Sequence, residues 1–321
     1  MQMIRERRPS GTNAARAFAR RFLGPIFGSP DSHGNYVLTV GKSPKVMFAA
    51  HYDTMHVMGG TQKVIVKNGF ARLPDNSPSN CLGADCTAGI WLILRMIRAG
   101  VPGVYAVFAD EEIGAKGASA FVRDNPEMIA RLGAVISLDR KGYSEIITHQ
   151  MGGRTASDAF AWSLADILGM DHEPSDKGVF TDSAMFAEDV PECCNLSVGY
   201  FNQHTIGEVQ DLDYLAKLAD RLIRADWSRL VIERDPSIRE PKDFWGLGAS
   251  VYGIGSKKSR NSGRSTFLEP DSIWSPQEDL SLSEIVSCYP DAVARFLRDC
   301  GFSAEDLQEY ISDFDLRSRW N

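Results

Sequence analysis

Four short apolar runs in this chain each stop abruptly on residues that carry chemistry. KVMFAA (Lys45–Ala50) runs into His51-Tyr52-Asp53, and VYAVFA (Val104–Ala109) runs into Asp110-Glu111-Glu112. AVISL (Ala134–Leu138) runs into Asp139, and NLSVGY (Asn195–Tyr200) is followed by Phe201-Asn202-Gln203-His204. Short runs rich in β-branched and aromatic residues read as strands. So do Asn35–Gly41 and Glu145–His149. Helical segments lie between them: 13–23, Thr87–Gly100 (stopped by glycine and then Pro102), Lys116–Arg123, Pro126–Leu132 and Ser157–Gly169. The last has Ala159, Trp162, Ile167 and Leu168 near one face, and Leu212–Ile232 reads as a long final helix. Gln62–Leu73 reads as a hairpin turning at Asn68-Gly69. Strands alternating with helices imply a parallel sheet covered on both faces. The expected fold is therefore a three-layer α/β/α architecture with a mixed, largely parallel central sheet.

After about residue 235 the texture changes. Pro236, Pro241 and four glycines between Gly246 and Gly255 lead into SKKSRNSGRS, the composition of a linker or long loop. Helical patterning returns from Gln277, where Ser281 and Glu284 form a capping-box pair. The division is a catalytic domain over 1–235, a linker over 236–276 and a small helical tail over 277–321. A net charge of −7 argues against a general nucleic-acid binder. No apolar run is long enough to span a bilayer, which argues against a membrane partner. The arginine-rich start lacks the apolar core of a signal peptide, and Phe18 and Phe22 share one face, so it reads as the first helix of the domain. None of the six cysteines forms a CxxC pair, so they read as reduced thiols in a cytoplasmic protein.

Ligands of open α/β sheets bind outside the carboxyl ends of the strands. The four polar strand ends thus converge on one edge, and Asp85 joins them if the loop before the Thr87 helix reaches that edge. Imidazole and carboxylate together suit zinc, and also manganese or cobalt. Three adjacent carboxylates at 110–112 repel one another, and bound cations would cancel the repulsion. HExxH, P-loop, GxSxG and kinase signatures are absent from the sequence.

The segments AAHYDTM, LGADCTAGI, FADEEIGAKGA, SLD and SVGYFNQHT, in this order, resemble those of the co-catalytic dizinc exopeptidases. That clan includes bacterial leucine-type zinc aminopeptidases and, more distantly, the carboxypeptidase G and aminoacylase group. The resemblance covers roughly Arg8 to Ile232. It implies that His51 and Asp139 bind one metal, that Glu112 and His204 bind the other, and that Asp85 bridges them. It further implies that Asp53 orients His51 and that Glu111 is the general base. Neighbouring side chains of an extended segment point to opposite sides, which would separate Glu111 from Glu112; Asp110 is left as a strand-end acid.

Two features depart from the common pattern. Cys86 follows the bridging acid where the clan often has Asp or Asn, at a peptide bond the clan commonly holds cis. Only 64 residues lie between Asp139 and His204, little room for an inserted lid, which favours the single-domain aminopeptidase branch. Arg140, Lys141 and Arg154 are candidates to hold a substrate carboxylate. Asp182 in GVFTDSAMF reads as a helix N-cap with pocket contact as the alternative, and Tyr200 as a pocket or core residue. The reading is a zinc-dependent hydrolase of peptide or aminoacyl amide bonds, most simply an aminopeptidase with two divalent ions. A carboxypeptidase or N-acyl amino acid deacylase is the alternative enzyme. A non-catalytic binding or scaffold protein that kept the fold is the alternative of another class. The tail offers a surface for homo-oligomer formation.

Overall fold

The computed structural model describes residues 2–238 together with Val293 and Ala294. Most of the linker and tail expected over 236–276 and 277–321 lies outside these residues.

The strands that build the two larger sheets are β1 (Tyr36–Val40), β2 (Val46–His51), β3 (Ile65–Lys67), β4 (Phe70–Arg72), β5 (Gly103–Phe108), β6 (Ala134–Arg140), β7 (Glu145–Ile147), β8 (Glu173–Ser175), β9 (Glu192–Ser197), β10 (Tyr200–Phe201) and β11 (Val209–Asp211). The main helices are α1 (Asn13–Phe22), α2 (Ala84–Arg98), α3 (Lys116–Asp124), α4 (Asp158–Leu168) and α5 (Leu212–Arg224). A seven-stranded sheet has the order β8-β7-β9-β6-β2-β5-β1. Its centre, β9-β6-β2-β5, is parallel, while β1 joins β5 and β7 joins β9 antiparallel. A second, four-stranded antiparallel sheet, β10-β11-β4-β3, contains the expected hairpin, with Asn68 and Gly69 both at positive φ in its turn.

Side-chain alternation along the central strands separates two cores. On β2, Val46, Phe48 and Ala50 face one side with Phe18, Ile90, Phe160 and Leu215, hence with α1, α2, α4 and α5. Met47 and Ala49 face the other side with Ala118 and Phe121 of α3 and with Phe186. The three-layer architecture is the one expected. Helix α2 is the central one, buried at Ile90, Leu92, Ile93, Leu94 and Met96. Each such side chain contributes about 1.5–3 kcal/mol on burial. It approaches the sheet so closely that a Cβ at Gly89 would lie 2.2 Å from the Leu138 carbonyl oxygen.

The structure corrects several expected elements. On α4 the buried face is Phe160, Ala161, Leu164, Ala165 and Leu168, and Trp162 is 56% exposed. The strand expected over Asn195–Tyr200 begins at Glu192 and stops at Ser197, because Gly199 turns the chain at φ 85° and sends Tyr200 into the other sheet. The final helix ends at Arg224 rather than Ile232: Asp226 caps a separate turn, its Oδ1 accepting from the Ser228 N–H at 3.2 Å. Strand β8, at the sheet edge, contains Pro174, which masks it as a loop in the sequence.

Candidate metal centre

Strands β2, β5 and β6 are adjacent and parallel, so their carboxyl ends reach one edge. His51 pairs with Phe108 in register, and Ala49 with Ser137, which sets His51 and Asp139 at the same height. Asp85 arrives from the loop that opens α2, across a cis Asp85-Cys86 peptide bond. His204 stands in a turn after β10, at φ 65°.

These residues meet. His51 Nε2 is 3.1 Å from Asp85 Oδ1 and 3.4 Å from Asp139 Oδ1. His204 Nε2 is 3.2 Å from Asp85 Oδ2 and 3.1 Å from Glu112 Oε2. Each oxygen of Asp85 thus addresses a different histidine. Glu111 Oε2 stands 3.8 Å from His51 Nε2. Behind this set, the Asp53 carboxylate accepts the N–H of Glu111 and of Glu112, both at 3.1 Å, and the Ser10 hydroxyl at 2.7 Å. Its Oδ1 is 3.5 Å from His51 Nδ1.

The segment 110–115 is not the extended one expected. Asp110 takes a left-handed φ of 57°, and the N–H groups of Gly114 and Ala115 both return to the Glu111 carbonyl at 2.9 Å. A turn folds there because the Asp53 carboxylate collects two consecutive N–H groups. Glu111 and Glu112 are still divided, one toward His51 and the other toward His204. Asp110 faces away and accepts the Gly11 N–H at 2.6 Å.

Asp182 is not an N-cap. Thr181 occupies the cap position, and its hydroxyl donates to Asp139 Oδ2 at 2.8 Å. The Asp182 side chain is 1% exposed, and both its oxygens are buried without a hydrogen-bond partner. Tyr200 is buried, and its hydroxyl donates to the Asp139 carbonyl at 2.8 Å. Arg140 pairs with Glu145 at 2.8 Å and Arg154 with Asp158 at 2.8 Å, so both guanidiniums hold neighbouring carboxylates.

The charges are out of balance. Burial would depress the His51 imidazole, yet Asp139 and Glu111 raise it well above its ordinary value. Burial likewise opposes protonation of His204, but Asp85 and Glu112 push it up to about 11. Burial works against the Asp85 carboxylate, and the two histidines still hold it well below the usual carboxylate range. Burial and Asp85 push Glu112 up to about 7. Burial raises Glu111, Asp139 and Asp182 too, each with a neighbouring carboxylate adding to the rise. Glu112 Oε1 and Asp139 Oδ1 are buried acceptors without a hydrogen-bond partner. Such orphaned acceptors are costly unless something positive meets them. Donor atoms of His51, Asp85 and Glu112 lie within 4.8 Å of one another, as do those of His51, Cys86 and Asp139. The residues therefore fit divalent cations, by geometry and by donor chemistry. Cys86 is buried, donates its thiol to the Leu138 carbonyl at 3.2 Å, and has its pKa raised by burial, so it sits as a packed thiol.

Two residues of this region escaped the sequence reading. Arg8 is fully buried: its Nε donates to the Tyr52 carbonyl at 2.6 Å and its Nη2 to the Thr87 hydroxyl at 2.7 Å. Its guanidinium lies 4.2 Å from the centre of the Phe18 ring, and burial lowers its pKa to about 10. Glu208 is buried among backbone N–H groups of the loop before α2. The only signal for it was an acid four residues after His204.

No family model and no curated protein matches the chain. Solved structures do. Aminopeptidase PepT from Bacillus cereus is 16% identical with a TM-score of 0.54, over 70% of this chain and 95% of that one. A tripeptidase from Staphylococcus aureus is 14% identical with a TM-score of 0.56, over 70% and 94%. The TET1 peptidase of Pyrococcus horikoshii, which can assemble into a tetrahedron or a large octahedral shell, is 15% identical with a TM-score of 0.51, over 68% and 96%. The described residues share the fold of these peptidases, a fold the sequence motifs implied.

Proposed function

We propose that the chain is a metal-dependent hydrolase of peptide or aminoacyl amide bonds, an aminopeptidase with two divalent ions. Zinc is the first choice, with manganese and cobalt compatible with the same donors. The observation that carries the reading is the Asp85 carboxylate, with one oxygen toward His51 and the other toward His204. His51 and Asp139 would hold one ion, His204 and Glu112 the other, and Asp85 both. Bound ions would supply Lewis acidity toward the scissile carbonyl and lower the pKa of an attacking water. Asp53 would orient the His51 ring, whose Nδ1 lies 3.1 Å from the Asp53 carbonyl oxygen, and its carboxylate holds the turn of the paired glutamates through two N–H contacts. Glu111, with its Oε2 3.8 Å from His51 Nε2, would take a proton from the water and pass it to the leaving nitrogen.

A fold neighbour named as an aminopeptidase supports the aminopeptidase reading over the two rivals. A carboxypeptidase or deacylase needs a cationic side chain for the substrate carboxylate; Arg140 and Arg154 already serve Glu145 and Asp158, which leaves the exposed Lys141 as the candidate for that rival. Assembly of several copies is the partner reading, with the tail as its candidate surface. No helix among the described residues is long and apolar enough to cross a membrane. The four described cysteines are free and buried, in keeping with the reading of a cytoplasmic protein.

The experiment measures hydrolysis of free and N-blocked peptides together with metal content. Glu111→Gln should keep its metals and lose about 10²–10⁴-fold in turnover. Glu112→Gln should lose metal first, with partial rescue by excess zinc. Exchange of the two phenotypes would exchange the roles. Full activity in both variants would rule out this mechanism, and no hydrolysis by metal-loaded wild-type protein would favour the scaffold alternative.

A further inference from the structure

Glu208 lies four residues beyond His204 and is 1% exposed. Its Oε2 accepts the N–H of Leu82 at 2.8 Å and of Gly83 at 2.9 Å, and its Oε1 accepts the N–H of Asp85 at 3.1 Å. Three donors of the loop that delivers Asp85 therefore end on one carboxylate from the segment that delivers His204. That segment is itself turned back, with the Glu208 N–H on the Thr205 carbonyl at 3.1 Å. The opposite side of the loop is closed: a Cβ at Gly83 would lie 2.8 Å from His56 Cε1. The hydrolytic mechanism uses no atom of Glu208.

A second glutamate shows the same device without a metal centre. Glu192 is fully buried and accepts the N–H groups of Ser157, Glu233 and Arg234 at 2.6, 2.8 and 2.9 Å. None of those donors belongs to a segment bearing a proposed ligand. Glu192 is thus an internal control for what a caged carboxylate does for folding alone.

We propose that Glu208 is a positioning residue for the bridging carboxylate, and that it sets the affinity of the centre for its second divalent ion. The proposal rests on the two-ion reading above. Asp85 must present its two oxygens to His51 and His204 at once, so a small rotation of its backbone loses one of them. Glutamine in place of Glu208 keeps the shape but has a single acceptor oxygen. That oxygen can stay with Leu82 and Gly83, which leaves an NH₂ group facing the Asp85 N–H. Two donors then oppose each other, and Asp85 is displaced.

Full-length protein stripped with chelator is titrated with Zn²⁺ by calorimetry, and its thermal unfolding is followed in chelator. Wild type should bind two ions. Glu208→Gln should keep one and bind the second about 10–100-fold more weakly, the usual effect of losing a group that orients a ligand. Glu192→Gln should melt at lower temperature yet bind both ions as wild type does. Glu208→Gln binding both ions at wild-type affinity overturns the proposal. Should Glu208→Gln fail to fold, Glu208→Asp carries the test: it retains both oxygens one methylene short and should weaken the second ion by a smaller factor, and unchanged affinity there also overturns the proposal. A wild-type protein that takes fewer than two ions defeats the two-ion reading itself, a result distinct from equal binding by wild type and variant.

Discussion

The two histidines of the centre are held in opposite ways. His51 ends a central strand and is 1% exposed; it pairs in register with β5, and its strand pairs with β6 up to Ala49. His204 stands in a turn at left-handed φ, with its side chain 40% exposed. The first half is positioned by the sheet and cannot move without the core. The second half is positioned by a loop, and needs extra ties such as Glu208 to reach the same Asp85. One site thus joins a part that shares the stability of the domain to a part that can open locally.

This contrast is sharpest for removal of each ring. His51→Ala leaves Asp85, Asp139 and Glu111 buried around a missing cation, and breaking a buried pair in this way costs about 3–5 kcal/mol. Unfolding of the chelator-treated protein should register that loss directly. His204→Ala removes a half-exposed ring and lets water reach Glu112 and Asp85, so it should cost less stability than His51→Ala while abolishing binding of one ion. Equal destabilisation by the two variants would break the comparison.

A smaller effect tests the sheet-borne half from behind. Gly89→Ala places a methyl against the Leu138 carbonyl, one residue before Asp139. The strain of such overpacking is about 1–3 kcal/mol, and it should appear as a lower melting temperature. The smallest effect is expected from the far end of the chain. Truncation at about residue 275 should leave metal binding unchanged, since every proposed ligand precedes it. A truncated protein that folds yet loses its metals would join the tail to the centre.

Much of the centre was legible because its signals are local. Apolar runs that end in His51, Asp139 or the 110–112 acids announce themselves within six or seven residues, and so does the turn chemistry of Asn68-Gly69. Glu208 was not legible because its partners lie far back along the chain, at Leu82, Gly83 and Asp85. Arg8 was read as part of a basic start, although it reaches Tyr52 and Thr87. Asp182 has the local look of a cap, and only its surroundings make it an unpartnered acid. The turn at Glu111 was read as extended because the carboxylate that folds it, Asp53, comes from the segment after β2, far back along the chain.

Residue types and their order along the chain determined the layers, the strand ends and the set of imidazoles and carboxylates available there. Periodicity and polarity are properties of neighbouring residues, so they survive without a structure. The tertiary structure decided which oxygen of Asp85 meets which histidine, which glutamate turns to which side, and which buried carboxylates remain without partners. Those outcomes depend on distances between segments that are remote in sequence, and such distances exist only once the sheet has brought the strand ends together.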